Sequence, residues 1–251
     1  MGLEAIGNRQ NVLVHEVAYP SQGKDAALAC PSGKQLVVHS MAAYNGYTAT
    51  NNIGVGHFLA TASWNFFRIT AGAAVLDNSA QTGSAVNIFD TTANDGFYLQ
   101  AKARFNVIYF NVSQSQSGSP VYEYTYWNGS AFVALPLIAT PAYTSTGAVY
   151  VPFMPPVDWV VGSGGAISTT IQGSLGYVIR VRSTTAGGQS VIANSASVIK
   201  FFAYRGAISA NQQLQVKFER PKILESGESM TVYYGTANAS NLVNVCYQLE
   251  G

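Results

Sequence analysis

The stretch FDTTANDGF, residues 89–97, holds the densest run of hard oxygen donors in the sequence: Asp90, Asn94 and Asp95, followed by Gly96. A calcium ion takes about six oxygens, and a glycine permits the sharp turn such a loop needs. The EF-hand spacing is missing. The stretch reads better as a hairpin or Asx turn, in which side-chain oxygens accept backbone N–H groups. The three histidines, His15, His39 and His57, form no HxH, HExxH or two-His-one-carboxylate spacing. His39 lies in the middle of the apolar run LVVHSM and reads as a core or edge residue. No GxSxG nucleophile elbow occurs. Asp158, in PPVDWVV beside Trp159, is the one carboxylate in an apolar setting, whereas glycoside hydrolysis needs two. Cys30 and Cys246 are the only cysteines and have neither CxxC nor zinc spacing. Their positions leave open whether they pair. The expectation is a chain with no catalytic residues, no metal and no cofactor: not an enzyme.

Aromatic residues are the other chemistry on offer. In VYEYTYWNGSAFVAL, residues 121–135, Tyr122, Tyr124 and Tyr126 alternate with Glu123 and Thr125. Alternation with period two is strand geometry, and Asn128-Gly129 is a hairpin signal. The tyrosine face could stack on a sugar. With Glu123 and Thr125 opposite, it reads instead as the inward face of a sandwich, and Trp127 falls by parity on the other side. Trp127, at the end of this strand, and Trp159, after the proline corner PFMPP, are expected to anchor the structure as core or corner residues. No small-molecule ligand is expected.

These residues must be positioned by strands. Helical periodicity is almost absent. Short apolar or alternating runs recur at 34–44, 66–70, 86–89, 97–112, 121–127, 148–153, 176–184, 197–205, 213–220, 230–236 and 244–250, separated by Gly, Ser, Asn and Pro. The expected fold class is all-β, with two antiparallel β-sandwich or jelly-roll-like parts, the second inserted into the first. The expected divisions are an N-terminal arm over 1–30, a discontinuous first sandwich over 31–101 and 189–251, and an inserted second sandwich over 102–188. Val12, Leu13, Val14 and Val17 in the arm have no neighbouring hairpin partner, so they are expected to make intermolecular contacts with another sheet edge.

Charged residues are 10% of the chain and hydrophobic residues 48%, with a formal net charge of +1. Soluble domains usually carry about 25% charged residues. A surface built from Ser, Thr, Asn and Gln is poorly protected against association, which points to life in an assembly. Lys and Arg form no basic patch, so no nucleic-acid partner is expected; the densest cluster, KFERPK at 217–222, contains Glu219 and reads as the flank of a strand. No apolar stretch approaches the roughly 20 residues of a membrane-spanning helix, and no membrane partner is expected. The N-terminal residues do not form a secretory signal.

Two segments carry a resemblance to a known family. YTYWNGSAFVAL, VYVPFMPPVDWV and GYVIRVRS, within 124–183, resemble the small β-sandwich modules of tailed-bacteriophage structural proteins. The C-terminal FERPKILESGESMTVYYGTANASNLVNVCYQLEG is similar to the end of phage head-decoration and tail-associated domains. The resemblance implies a virion structural protein of the capsid decoration, or cement, type. Such a protein would be made in the host cytoplasm and located on the outer capsid surface. Its partners would be the major capsid protein and itself, as a homotrimer. The alternatives are a tail, baseplate or fibre component that touches the host surface, or a carbohydrate-binding module.

Overall fold

The computed structural model describes residues 14–18, 25–162, 175–234 and 242–250. Among them are eighteen β-strands and two short 3-10 turns, and no α-helix. The first strands are β1 (Val14–Ala18), β2 (Asp25–Ala29), β3 (Gln35–Tyr44), β4 (Asn51–Phe58), β5 (Trp64–Thr70) and β6 (Ala73–Leu76). Next come β7 (Val86–Phe89), β8 (Gly96–Ala101), β9 (Val107–Gln114), β10 (Tyr122–Trp127), β11 (Phe132–Ala134) and β12 (Gly147–Pro152). The last are β13 (Val161–Gly162), β14 (Gly176–Ser183), β15 (Val191–Ile208), β16 (Gln213–Leu224), β17 (Ser229–Tyr234) and β18 (Leu242–Glu250). They pair antiparallel in three sheets, as the all-β reading expects.

By contact the chain divides into one unit of Met1–His57 with Phe202–Gly251 and another of Phe58–Phe201. The sequence reading drew this line elsewhere, assigning 31–101 to the first sandwich. Residues 64–101 belong to the second unit because β5 and β8 pair with each other and β8 pairs with β14. Strand texture alone does not say which sheet a strand joins.

In the unit Phe58–Phe201, one sheet runs β11-β10-β14-β8-β5-β6, with β13 on β14. Facing it, β12, β9 and β15 pair in that order, with β7 also on β15. Alternate residues of the two sheets meet in a core. Phe66, Phe97, Leu99, Ile179 and Val181 come from the first sheet, and Ile108, Phe110, Val149, Val151 and Val198 from the second. Each such side chain contributes about 1.5–3 kcal/mol by leaving water. The Phe66 and Phe97 rings stack at 5.0 Å, and Phe110 meets Phe97 edge-on at 5.4 Å. The run 97–112, read from sequence as a single strand, is two. The chain leaves β8 at Ala101, buries Phe105, and re-enters at β9, with the Lys102 N–H donating to the Ser63 carbonyl.

In the other unit, a four-stranded sheet runs β1-β18-β3-β16. Strand β3 changes phase within itself: Leu36 and Val38 are buried, then Met41 and Ala43. A bulge makes the shift possible. Cys246 and Tyr247 of β18 oppose Ser40 and Val38, so His39 is the extra residue. On the other side, Lys217 and Lys222 of β16 oppose the same two residues, so Phe218–Pro221 bulge out across from His39. A one-residue slip turns a strand's faces over, and here it keeps both halves of β3 apolar-side in. Pro221, which has no N–H to donate, falls inside that bulge. The KFERPK stretch is thus a bulged strand, not the flank of one.

Candidate functional site

The aromatic hairpin sorts its residues onto two faces. Tyr124 and Tyr126 are buried in the sandwich core, with Tyr122 packed against it. On the opposite face Thr125 is buried and donates to the Arg180 carbonyl. There too, Glu123 accepts from Arg182 Nε at 2.5 Å, and Arg180 lies over the Phe132 ring at 4.3 Å. Trp127 lies on that second face in a small cluster with Phe67, Ala74 and Val178. The hairpin loop is longer than an Asn-Gly turn. Asn128 caps it, its Oδ1 accepting from the Ser130 and Ala131 N–H groups, and Gly129 takes φ +103°.

Trp159 is fully buried. Its ring meets Phe105 at 5.1 Å, Tyr177 at 5.4 Å and Phe153 at 5.9 Å, and its Nε1 donates to the Val178 carbonyl. The neighbouring Asp158 is not half of a catalytic pair: its Oδ1 accepts from Tyr126 Oη at 2.8 Å. This bond is the leading reason that the Tyr126 phenol is held above its usual pKa. Arg104 Nη2 donates to the carbonyls of Val157 and Trp159 at 3.1 and 2.6 Å. The corner is therefore rigid beneath, yet its outer residues are apolar and open: Val157 is 92% exposed and Met154 61%. Ile138, also 61% exposed, flanks Met154 across the bridge between Leu137 and Phe153.

The oxygen-rich stretch at 89–97 is a turn. Asp95 is buried, and its Oδ1 accepts from the Ala71 N–H at 2.9 Å. Asp90 accepts from Asn87 Nδ2 at 2.7 Å, and Asn94 takes φ +72°. Among the described residues no three His, Cys, Asp or Glu converge as a metal site would require. Cys30 and Cys246 do not bond to each other. Cys30 is buried with its Sγ 3.1 Å from the Lys34 carbonyl, and burial raises its thiol pKa.

Of the histidines, His39 occupies the bulge, with its Nε2 buried and unpartnered. His57 carries a pairing the sequence did not reveal. Its Nε2 lies 2.7 Å from Oε2 of Glu228, both residues are buried, and the same oxygen accepts from the Glu225 N–H. With the partners 171 positions apart, no local motif could have announced it. The surrounding backbone is equally committed, since the Glu228 carbonyl accepts from the Cys30 N–H. The pair reads as a polar clasp within its unit. Of the arm residues, Val12 and Leu13 lie outside the described residues. Val14 and Val17 belong to β1, whose backbone pairs with β18 of the same chain, Val14 opposite Tyr247 and Val17 opposite Asn244. Strand β1 therefore has a partner, far away in sequence, and among the described residues it is the edge of its sheet.

A sizeable cleft lined wholly by described residues of the Phe58–Phe201 unit lies between segments 116–124 and 140–144 and has a volume of about 400 Å³. Gln116 ties the segments together. Its N–H donates to the Tyr143 carbonyl at 2.6 Å, and its Oε1 accepts from Tyr122 Oη at 2.9 Å. Tyr122 and Tyr143 meet edge-on at 5.2 Å, and both pack on Phe89. The hydroxyls of Tyr124 and Tyr143 are buried beneath it, where they interact with each other and with no other hydrogen-bonding group. Burial pushes the Tyr122 phenol up to about 12 and raises Tyr124 and Tyr143 further, so all three stay neutral at physiological pH. No charged residue lines the cleft.

No protein-family model matches this chain, and no curated protein or solved structure matches it.

Proposed function

We propose that this chain is a non-enzymatic structural protein of a tailed-phage virion, a decoration protein that binds the outer face of the capsid shell as a homotrimer. The observation that carries the reading is the proline corner. Met154, Val157 and Ile138 project there from backbone that Trp159 and Arg104 hold in place. An apolar surface on a rigid mount costs water contact in the free protein and loses little freedom on binding, which suits a permanent interface. Two further features support it: a chain in which only 10% of residues are charged, and the phage-like segments within 124–183 and at the C-terminus. A shell-binding protein of this type works by area. A standard interface buries about 1,600 Å², and threefold repetition adds avidity without any new contact.

The test is binding to shells assembled from the major capsid protein encoded in the same genome. The wild-type chain saturates the shell, and Met154→Asp with Val157→Asp removes most of the binding while the fold melts normally. If the double variant binds as well as wild type, the corner is not the interface; if the wild type fails to bind, the reading fails.

A further inference from the structure

The cleft between 116–124 and 140–144 has no task in a protein that works only by docking on a shell. We infer that it is a binding site for a neutral saccharide unit. The inference stands on the match between two properties of the cleft and one class of ligand. The first is size: about 400 Å³ lies within the range of small-molecule sites and fits one or two sugar rings. The second is composition. Tyr122, Tyr124, Tyr143, Pro120 and Pro141 give flat apolar surface, while Gln116 and the hydroxyls of Ser119, Thr140 and Thr144 give neutral polar groups. A pyranose likewise has a C–H face and a rim of hydroxyls, and tyrosine, with an apolar ring and a polar tip, fits both. An anionic or cationic ligand would lack a counter-charge here.

The cleft is also held open in advance. The Gly188 N–H donates to the Ser117 carbonyl, and Val121 exchanges bonds with Thr184 and Thr185. Gly118 takes φ +81°, a conformation only glycine adopts at no steric cost. A site shaped before the ligand arrives loses less entropy on binding.

The experiment uses the full chain and three neutral disaccharides, lactose, maltose and cellobiose, at millimolar concentration, with glucose 6-phosphate as the charged counterpart. Saturation-transfer NMR is expected to show contact with the ring C–H protons of at least one disaccharide, and weaker contact with the phosphate sugar. Hydrogen-exchange protection by that disaccharide should fall on 116–124 and 140–144. Ala142→Trp, which fills the cleft from an exposed position, should abolish transfer. Absence of transfer from all three disaccharides overturns the inference. Protection elsewhere on the chain, or transfer undiminished in Ala142→Trp, overturns it as well.

Discussion

Replacing Trp159 with alanine removes the largest fully buried side chain of the Phe58–Phe201 unit. The side chain loses its contacts with Phe105, Phe153 and Tyr177, all within 6 Å between ring centres, and the Val178 carbonyl loses the indole N–H. Truncating a buried tryptophan costs about 3–5 kcal/mol, since the cavity left behind collapses only in part. Three flanking rings and the Arg104 bonds to the corner backbone resist collapse, which places the loss in the upper half of that range. In a domain of this size it corresponds to a fall in melting temperature of roughly 10 °C or more. Urea unfolding followed by tryptophan fluorescence is a clean assay, because Trp64, Trp127 and Trp159 all belong to this unit and the first two still report. Trp159→Phe, which keeps an aromatic in the site, should lose less than half as much. A loss for Trp159→Ala below about 1 kcal/mol would refute the argument, since it would mean that the corner stands without its anchor.

The tyrosine cluster predicts alkaline instability. Burial holds Tyr122 at about 12 and Tyr143 well above the usual 10, so the unfolded chain releases these protons first. The stability they contribute is complete below pH 10 and is lost as the pH rises toward 12 and beyond. Urea midpoints measured across that range should fall steeply in wild type and less steeply in Tyr143→Phe. Gly96→Ala should prevent folding or lower the melting temperature sharply, because its Cβ would overlap the Val181 carbonyl oxygen and the Arg182 backbone on the paired strand; circular dichroism melting decides it. For the buried clasp, His57→Ala should cost about 3–5 kcal/mol, whereas the double replacement His57→Leu with Glu228→Met should cost markedly less, because removing one partner of a buried pair is worse than removing both. A double-mutant cycle in urea measures the difference.

Period-two alternation made the strands legible. The run GYVIRVRST has Val178 and Arg180 on one side and Ile179 and Val181 on the other, and β14 follows it. Strands without alternation escaped. Strand β4, NNIGVGHF, is buried at nearly every described position and broken by glycines, so it shows neither a wet face nor a continuous apolar run. Strand β1 escaped as a paired strand because its mate lies at the other end of the chain. The division into units was missed for a related reason: β5 and β8 look like any other apolar strands, and only their pairing with each other and with β14 assigns them. The parity of Tyr122–Trp127 placed the tyrosines inward and Trp127 on the reverse face. It could not show that Tyr122, Tyr124 and Tyr143 line a cleft, because 116–121 and 140–144 are Gly, Ser, Pro and Thr loops without period. Their meeting depends on bonds from Gln116 to Tyr122 and Tyr143.

The proposal that this chain decorates a phage shell is tested most directly by counting it. If the proposal holds, a phage genome encodes the chain, and virions purified from that phage would be analysed by quantitative mass spectrometry against the major capsid protein. The account predicts the chain in a fixed ratio to the major capsid protein, matching one trimer per repeated position of the shell. Its absence from the virion, or a copy number that follows the tail proteins instead, would contradict it.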